Sequence, residues 1–463
     1  MKVPVLVIGG GLSGIAAAIR VARFAPHVQI LEQHTRLGGL NSYFYRHKTL
    51  FETGLHAITN YAEPGDKKAP LNRLLRQLKI RRKNISLCQQ RESRVEFYGQ
   101  ETLRFSNQFE LFDNEIHSKF PDAYDKFLQL ITFINEFDPF IPTPFRSAKK
   151  HLLDLLGNKL LVDMLLCPLM FYGSSYENDM DLNQFAIMFR AIYIEGMFRP
   201  NGTIKDFLDM LTDHYKELGG TIRTNCAVRK IIQSKGRVSG VEISSGEFIE
   251  CDHLLSTIGS DETLALLDEH KTDTPLPSKR LGFIETIHEV KTDENCKLPG
   301  DTTIIFYNNS KSFNYSNPDE FVDNSSGVIC FPGNFSGLAP RENKEVRFTH
   351  LANYSKWKTL AEMPASYLAQ KKLSAQESRL VLEPIIGKFE HNILFEDTFT
   401  PVTIERYTSK IRGAIYGNPI KHKDGDIGYK NLFIAGTDQG FLGIVGSMLS
   451  GVSIVNQHIL PKV

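Results

Sequence analysis

The sequence predicts an α/β fold in which a mostly parallel sheet is interleaved along the chain with a second, α+β domain. Three observations predict it. A short apolar run at the N-terminus passes through a glycine-rich turn into a small-residue helix, and a second apolar run ends on an acid. Further apolar runs closed by glycine turns return near 220–259 and 431–451. The stretches between them carry helical periodicity and then strand-like runs.

Val3–Ile8 is continuously apolar, as a strand buried on both faces of a parallel sheet should be. It enters Gly9-Gly10-Gly11-Leu12-Ser13-Gly14, then the helical pattern Ile15–Ala22, then Val28–Leu31 and Glu32. Strand, G-x-G-x-x-G, helix, strand and acid within about 30 residues is the Rossmann-like dinucleotide fingerprint. Gly9 permits the tight turn, Gly11 lets backbone approach a pyrophosphate, and Gly14 lets the helix pack closely on the strand. The N–H groups at the helix start, including those of Leu12 and Ser13, face the pyrophosphate at the positive end of the helix dipole. Glu32 can accept from both ribose hydroxyls, and its charge repels a 2′-phosphate, which disfavours NADP.

Arg36-Leu37-Gly38-Gly39 follows Glu32 by four residues. That pattern is typical of FAD-binding proteins of the glutathione-reductase type. Here the sequence resembles the flavin amine oxidase and phytoene desaturase superfamily, most closely its phytoene desaturase, carotenoid isomerase and retinol saturase group. Phe51-Glu52-Thr53-Gly54-Leu55-His56 matches that group's F-D/E-x-G-x-H segment. Arg199-Pro200-Asn201-Gly202-Thr203 resembles its P-x-G-G turn, with Thr203 in place of a glycine. The segment through Val228 and the strand end Ser256-Thr257-Ile258-Gly259 match the family's strands near the adenine. Asn431–Asp438 and Gly443–Gly451 match its second phosphate and flavin docking site. Gln439–Gly443 stands where the family carries a P-G step.

The resemblance implies non-covalent FAD, since no cysteine follows Cys330. It implies cofactor contacts from Gly9, Gly11, Leu12, Ser13, Gly14, Glu32, Gln33, Arg36, Gly38, Gly39, Leu40, Gly54, His56, Val228, Thr257, Gly259, Gly436, Asp438, Gly443, Ile444 and Val445. Asp438 would meet the ribityl or pyrophosphate region. The amides near Ile444 and Val445 would face the flavin's N1–C2 edge. An FAD domain is expected over 1–65, 196–270 and 400–463, and a substrate domain over 66–195 and 271–399. Its activity would be an FAD-dependent oxidoreductase acting on a C–C bond of an apolar, isoprenoid or polyene substrate. The alternative is amine oxidation, which calls for an aromatic sandwich and often a lysine-held water beside N5. A non-enzymatic reading, as in the Rab escort and GDP-dissociation-inhibitor proteins, fits poorly because the flavin-binding glycines are intact. Among candidate catalytic residues His56 stands first as acid or base, with Tyr416 and Arg406 second.

Between the FAD segments, Leu71, Leu74, Leu75 and Leu78 recur at helical spacing with Arg73, Arg76 and Lys79 between them and Arg81, Arg82 and Lys83 after. This basic amphipathic helix is either a surface helix packed on its own domain or a peripheral membrane contact. Leu160–Tyr172 is expected to cap the substrate cavity, and Asn308–Asn317 to form a polar surface loop. Thr303–Tyr307 and Gly327–Phe331 suit a sheet roofing the cavity, and Trp357 suits the core.

Composition excludes other classes. With 54 Lys+Arg against 53 Asp+Glu the net charge is +1, unlike a nucleic-acid binder. At 41% hydrophobic residues the chain is not disordered. Six cysteines without a CxxC pair exclude a dithiol motif and a zinc ribbon, and no metal is expected. They also suit a reducing, cytoplasmic location. No run reaches the roughly 18 apolar residues of a spanning helix.

Overall fold

The computed structural model describes residues 2–139, 141, 143–267, 280–293, 296 and 298–463. Two seven-stranded sheets organise it. In the first, strands lie in the order Thr221–Arg223, Val28–Leu31, Lys2–Ile8, Phe248–Ser256, Arg237–Ile243 and Val228–Ser234, and Leu432–Ile434 joins the far half of Phe248–Ser256. Its nucleotide half is parallel, and the hairpins from Val228 to Ser256 are antiparallel. The register sets Ile8 opposite Leu31 on one side and Ser256 on the other. The residues that follow, Gly9, Glu32 and Thr257, therefore emerge together at the carboxyl edge, where open α/β sheets bind ligands. The Gly9 N–H donates to Leu31 O and the Thr257 N–H to Ile8 O, both at 2.9 Å.

The helix Leu12–Ala22 buries Ile15-Ala16-Ala17-Ala18-Ile19 completely. Small residues let a second helix, Gly443–Ile454, lie directly on it. A Cβ on Gly451 would meet Ser13 O at 2.2 Å and the Ala17 Cβ at 3.2 Å. The continuous segment Gly443–Lys462 is, by length and composition, apolar enough to cross a membrane. This corrects the expectation that no run qualifies. Half of the segment is buried inside the fold, and its packing on Leu12–Ala22 is that of a core helix.

The second sheet runs Ile393–Phe399, Gly282–Lys291, Asn343–Ala352, Val322–Cys330, Thr302–Asn308, Glu92–Phe97 and Glu101–Phe105. It is antiparallel except where Thr302–Asn308 meets Glu92–Phe97. Sequence periodicity missed the two strands of 92–105 inside the helical stretch. The helix Lys159–Gly173, with Leu161–Met170 buried, packs on this sheet through one apolar core. Helix Pro364–Ile386 covers part of the other face. Trp357 is fully buried in a small cluster beside it.

Three expectations change. The helix Pro70–Leu78 forms, but Leu71, Leu74, Leu75 and Leu78 join the core around Leu12–Ala22 and Gly443–Ile454. Its packing therefore belongs to the first sheet, although position 66 was expected to open the other domain. Only its cations, Arg73, Arg76, Lys79, Arg81 and Lys83, remain exposed. The segment 308–317 is not simply a surface loop, because Phe313 and Tyr315 are buried and the Tyr315 hydroxyl donates to Ser174 O at 2.9 Å. Thr203, which looked like a departure, caps the helix Ile204–Glu217. Its Oγ1 accepts from the Asp206 N–H, and the Asp206 carboxylate accepts from the Thr203 N–H.

Gly451→Ala should push the two helices apart and cost about 1–3 kcal/mol, the range for overpacking a filled core. Urea unfolding checks it; an unchanged midpoint would show that the close approach is not needed.

Candidate active site

A cavity of about 900 Å³ opens at the carboxyl edge of the first sheet and reaches the second. One end is lined by Glu32, His34 and Arg36, the middle by Gly39, Leu40, Gly54, Thr437, Gly443 and Ile444, and the other end by His56, Phe171, Tyr172, Phe283, Glu285 and Tyr416.

The glycine loop is built as its residue types require. Gly9 sits at φ +102°, and a Cβ on Gly14 would lie 2.0 Å from Gly9 O. A Cβ on Gly11 would meet nothing within 4 Å, so the space before the helix N-terminus is open. The Arg36–Gly39 turn folds back over this loop. The Gly38 N–H donates to Gly10 O at 2.9 Å, and Gly38 and Gly39 hold positive φ. The Glu32 carboxylate accepts from the Gly10 and His34 N–H groups, both at 2.7 Å. Each oxygen keeps a lone pair for a further donor. The Ser13 and Thr437 hydroxyls beside the loop are buried and bonded to none of the described residues. An open helix N-terminus flanked by unpaired hydroxyls and an anchored acid fits the pyrophosphate and ribose of FAD.

Other expected cofactor residues act through the chain itself. The Thr257 hydroxyl donates to Ile8 O at 3.0 Å, tying a strand end to the glycine loop. Val228 pairs with Ile243, and Gly259 opens the short helix Ser260–Leu264 at φ +120°. Gly436, at φ +98°, lies against Ser13. Val445 packs among Leu71, Leu74 and Leu75. Gln33 reaches out to the Ser409 hydroxyl at 2.7 Å. Asp438 departs from expectation: it is 1% exposed and does not line the cavity. It accepts from the Ser260 N–H (2.7 Å), the Ser260 hydroxyl (2.9 Å) and the Asn418 N–H (2.9 Å). It thus fixes the loop that presents Thr437.

The catalytic candidates separate. His56 and Tyr416 lie at the inner end. Arg406 is exposed beside Tyr407, whose ring meets His34 edge-on at 5.7 Å, so it belongs to the outer, nucleotide end. The Tyr416 hydroxyl donates to Phe171 O, and its ring lies edge-on to Phe283 at 5.6 Å, which makes it a wall.

His56 is held twice. Arg199, itself 1% exposed, donates to Leu55 O (2.6 Å) and His56 O (3.3 Å) and forms a buried ion pair with Glu52. The His56 Nε2 lies 2.8 Å from Glu285 Oε2, and Glu285 Oε1 accepts from Arg347 at 3.1 Å. Arg347 in turn donates to Glu345 at 2.6 Å. Burial alone would raise the Glu285 pKa, but His56 and Arg347 outweigh it and hold the carboxyl below its ordinary value. An ionised carboxylate only accepts, so His56 Nε2 carries the proton.

Sequence reasoning missed Glu285 and Arg347, whereas the end of the expected cap Leu160–Tyr172 does line the cavity, through Phe171 and Tyr172. An acid inside the apolar run Phe283-Ile284-Glu285-Thr286-Ile287 was the available signal for the first. None of the six cysteines lines the cavity. Among the described residues no group of three His, Cys, Asp or Glu could hold a metal.

The family model of flavin containing amine oxidoreductases matches residues 12–340. The chain is similar to a 4,4′-diaponeurosporene oxygenase of Staphylococcus aureus, 23% identical over 455 residues, covering 89% of this chain and 87% of that one. Its fold is similar to that of an oxidoreductase from Methanosarcina mazei (TM-score 0.67, 16% identity, 98% of this chain and 100% of that one). It is also similar to a redesigned putrescine oxidase (TM-score 0.62, 13% identity, all of both chains).

Gly14→Ala should yield a protein without bound flavin, because the Cβ strikes backbone that cannot yield without opening the turn. The visible flavin absorbance of the purified variant checks it. A wild-type FAD content would show that the loop tolerates the side chain.

Asp438 makes the fold sensitive to acid. Burial would raise its pKa, but Lys410, Lys421 and the Ser260 and Asn418 N–H groups pull it from 3.8 to about 2. A folded pKa below the unfolded one means stability that is present above the unfolded pKa and is lost as pH falls through the folded one. The loss amounts to about 2 kcal/mol. Asp438→Asn should flatten the dependence of the urea midpoint on pH between about 4 and 2; an unchanged acid limb would remove Asp438 from the account.

Proposed function

The chain belongs to the flavin containing amine oxidoreductase family, and on that premise we propose that it acts on a C–C bond of an apolar substrate. It is an FAD-dependent oxidoreductase with non-covalent FAD. The proposed reaction is desaturation, saturation or cis–trans isomerisation, and the proposed substrate class is an isoprenoid or polyene.

One observation carries this reading. The inner end of the cavity is walled by Ala57, Phe171, Phe283, Val328, Ile415 and the ring of Tyr416, and among the described residues no lysine lines it; Lys421, which is not part of the lining, donates to Tyr416 O at 2.7 Å. The cavity's lysine among the described residues, Lys371, lies 3.4 Å from Asp397. Amine chemistry calls for an aromatic sandwich and often a lysine-held water beside N5; aromatic rings line this end, and a lysine side chain does not. The carotenoid named by the staphylococcal relative supports the same class of substrate.

Bound FAD supplies hydride acceptance and return at N5. The chain supplies position and a dry wall. Phe171, Phe283 and Tyr416 exclude water where an apolar carbon would lie. Glu285 keeps the Nε2 proton on His56, so a proton is gained or lost at Nδ1, which none of the described residues binds. Arg347 and Glu345 keep Glu285 in place, as an orienting carboxylate requires.

Holoenzyme titrated with a linear isoprenoid should change its flavin spectrum, and a primary alkyl amine of equal length should not. The reverse result would assign the site to C–N chemistry. His56→Ala should keep FAD and lower turnover by about 10²-fold or more, the scale of general acid–base help. Unchanged turnover would leave His56 with a structural role.

A further inference from the structure

Tyr172 lines the inner end of the cavity, and the fold leaves its hydroxyl, buried behind the lining surface, unanswered. Tyr172 ends the roofing helix Lys159–Gly173, and its ring packs edge-on against Phe306 at 5.3 Å. Its hydroxyl is buried and bonded to none of the described residues. A buried phenol left so is less stable than one that finds a partner. The neighbouring Tyr416 shows the contrast, since its hydroxyl is bonded to Phe171 O. His56 lines the same end from the opposite domain, and its Nδ1 is likewise bonded to none of the described residues.

We propose that Tyr172, with His56, forms a subsite for an oxygen-bearing end group of an otherwise apolar substrate. The group is a hydroxyl, carbonyl or carboxyl whose oxygen accepts from the Tyr172 hydroxyl. Burial keeps the phenol neutral and therefore a donor. Its demand is for an acceptor, which a pure hydrocarbon cannot supply. An apolar wall with one unpaired donor distinguishes the two more sharply than a fully apolar pocket would, because the wrong ligand leaves the donor buried and unpaired. This inference rests on the apolar-substrate reading above and narrows it.

The test uses FAD-loaded protein and four probes of one carbon skeleton: farnesene, farnesol, farnesal and farnesoic acid. Binding is read from the perturbation of the flavin spectrum. At least one oxygenated probe should bind about tenfold more tightly than farnesene. Tyr172→Phe, which keeps the ring, should bind farnesene unchanged and lose that preference, with its FAD content reporting that it folds. Equal binding of farnesene and the oxygenated probes by the wild type would overturn the end-group subsite and leave the apolar-substrate reading standing. A changed FAD affinity or spectrum in Tyr172→Phe without any probe would give the hydroxyl to the cofactor and also overturn it. If none of the four binds, the apolar-substrate reading falls and takes the subsite with it.

Discussion

Alternating buried charges run through the middle of this molecule and meet at His56. On one side Glu52 pairs with Arg199, which grips the carbonyls of Leu55 and His56. On the other side Glu285, Arg347 and Glu345 hold the imidazole. Glu52 also accepts from the Ile204 N–H at 2.7 Å, which ties the start of the helix Ile204–Glu217 to the same point. Charges this deep are tolerable only when each is paired, and removing one member strands another, typically at 3–5 kcal/mol. The network is thus a weak source of stability and a strong source of position. It fixes a backbone turn of the nucleotide half against a strand of the other sheet, and the cavity between the two follows from that joint.

The nucleotide end of the cavity rests on a different constraint, the closeness of backbone to backbone. Gly14 against Gly9, Gly451 against Ser13 and the Arg36–Gly39 turn over the glycine loop each need the absence of a side chain. These contacts leave the helix N-terminus open while packing everything around it. An open N-terminus and a tight surround are the same arrangement seen from two sides, and the parallel register that aligns Ile8 with Leu31 and Ser256 creates both.

This difference explains what could be read from the sequence. The glycine loop, the strand ending on Glu32 and the helix starting at Gly443 are local patterns whose chemistry is complete within one turn or one β–α–β unit. They were legible. Helix Pro70–Leu78 was legible as a helix, but its partners were not, because periodicity shows that a face is apolar without showing what covers it. Glu285 and Arg347 were hidden for a stronger reason. Nearly all of Gly282–Lys291 is buried, so the strand shows no alternation that would set its cavity side apart. Glu285 gains its role only from His56, 229 positions away. Asp438 marks the limit of motif transfer: the residue type and position match, yet its oxygens face donors of its own chain.

The two tyrosines at the inner end show how such a joint can carry selectivity. Tyr416 follows a glycine-rich turn of the nucleotide half, and Tyr172 closes a helix of the other half; both line one cavity. The first gives its hydroxyl to the Phe171 carbonyl and thereby binds the two halves together. The second hydroxyl has no partner among the described residues. Rigidity and recognition stand side by side here: Tyr416 closes the wall with its hydroxyl, and Tyr172 keeps an unsatisfied donor. A cavity that was merely apolar would accept any chain of suitable width, whereas one buried donor on a fixed wall makes the end of the ligand matter.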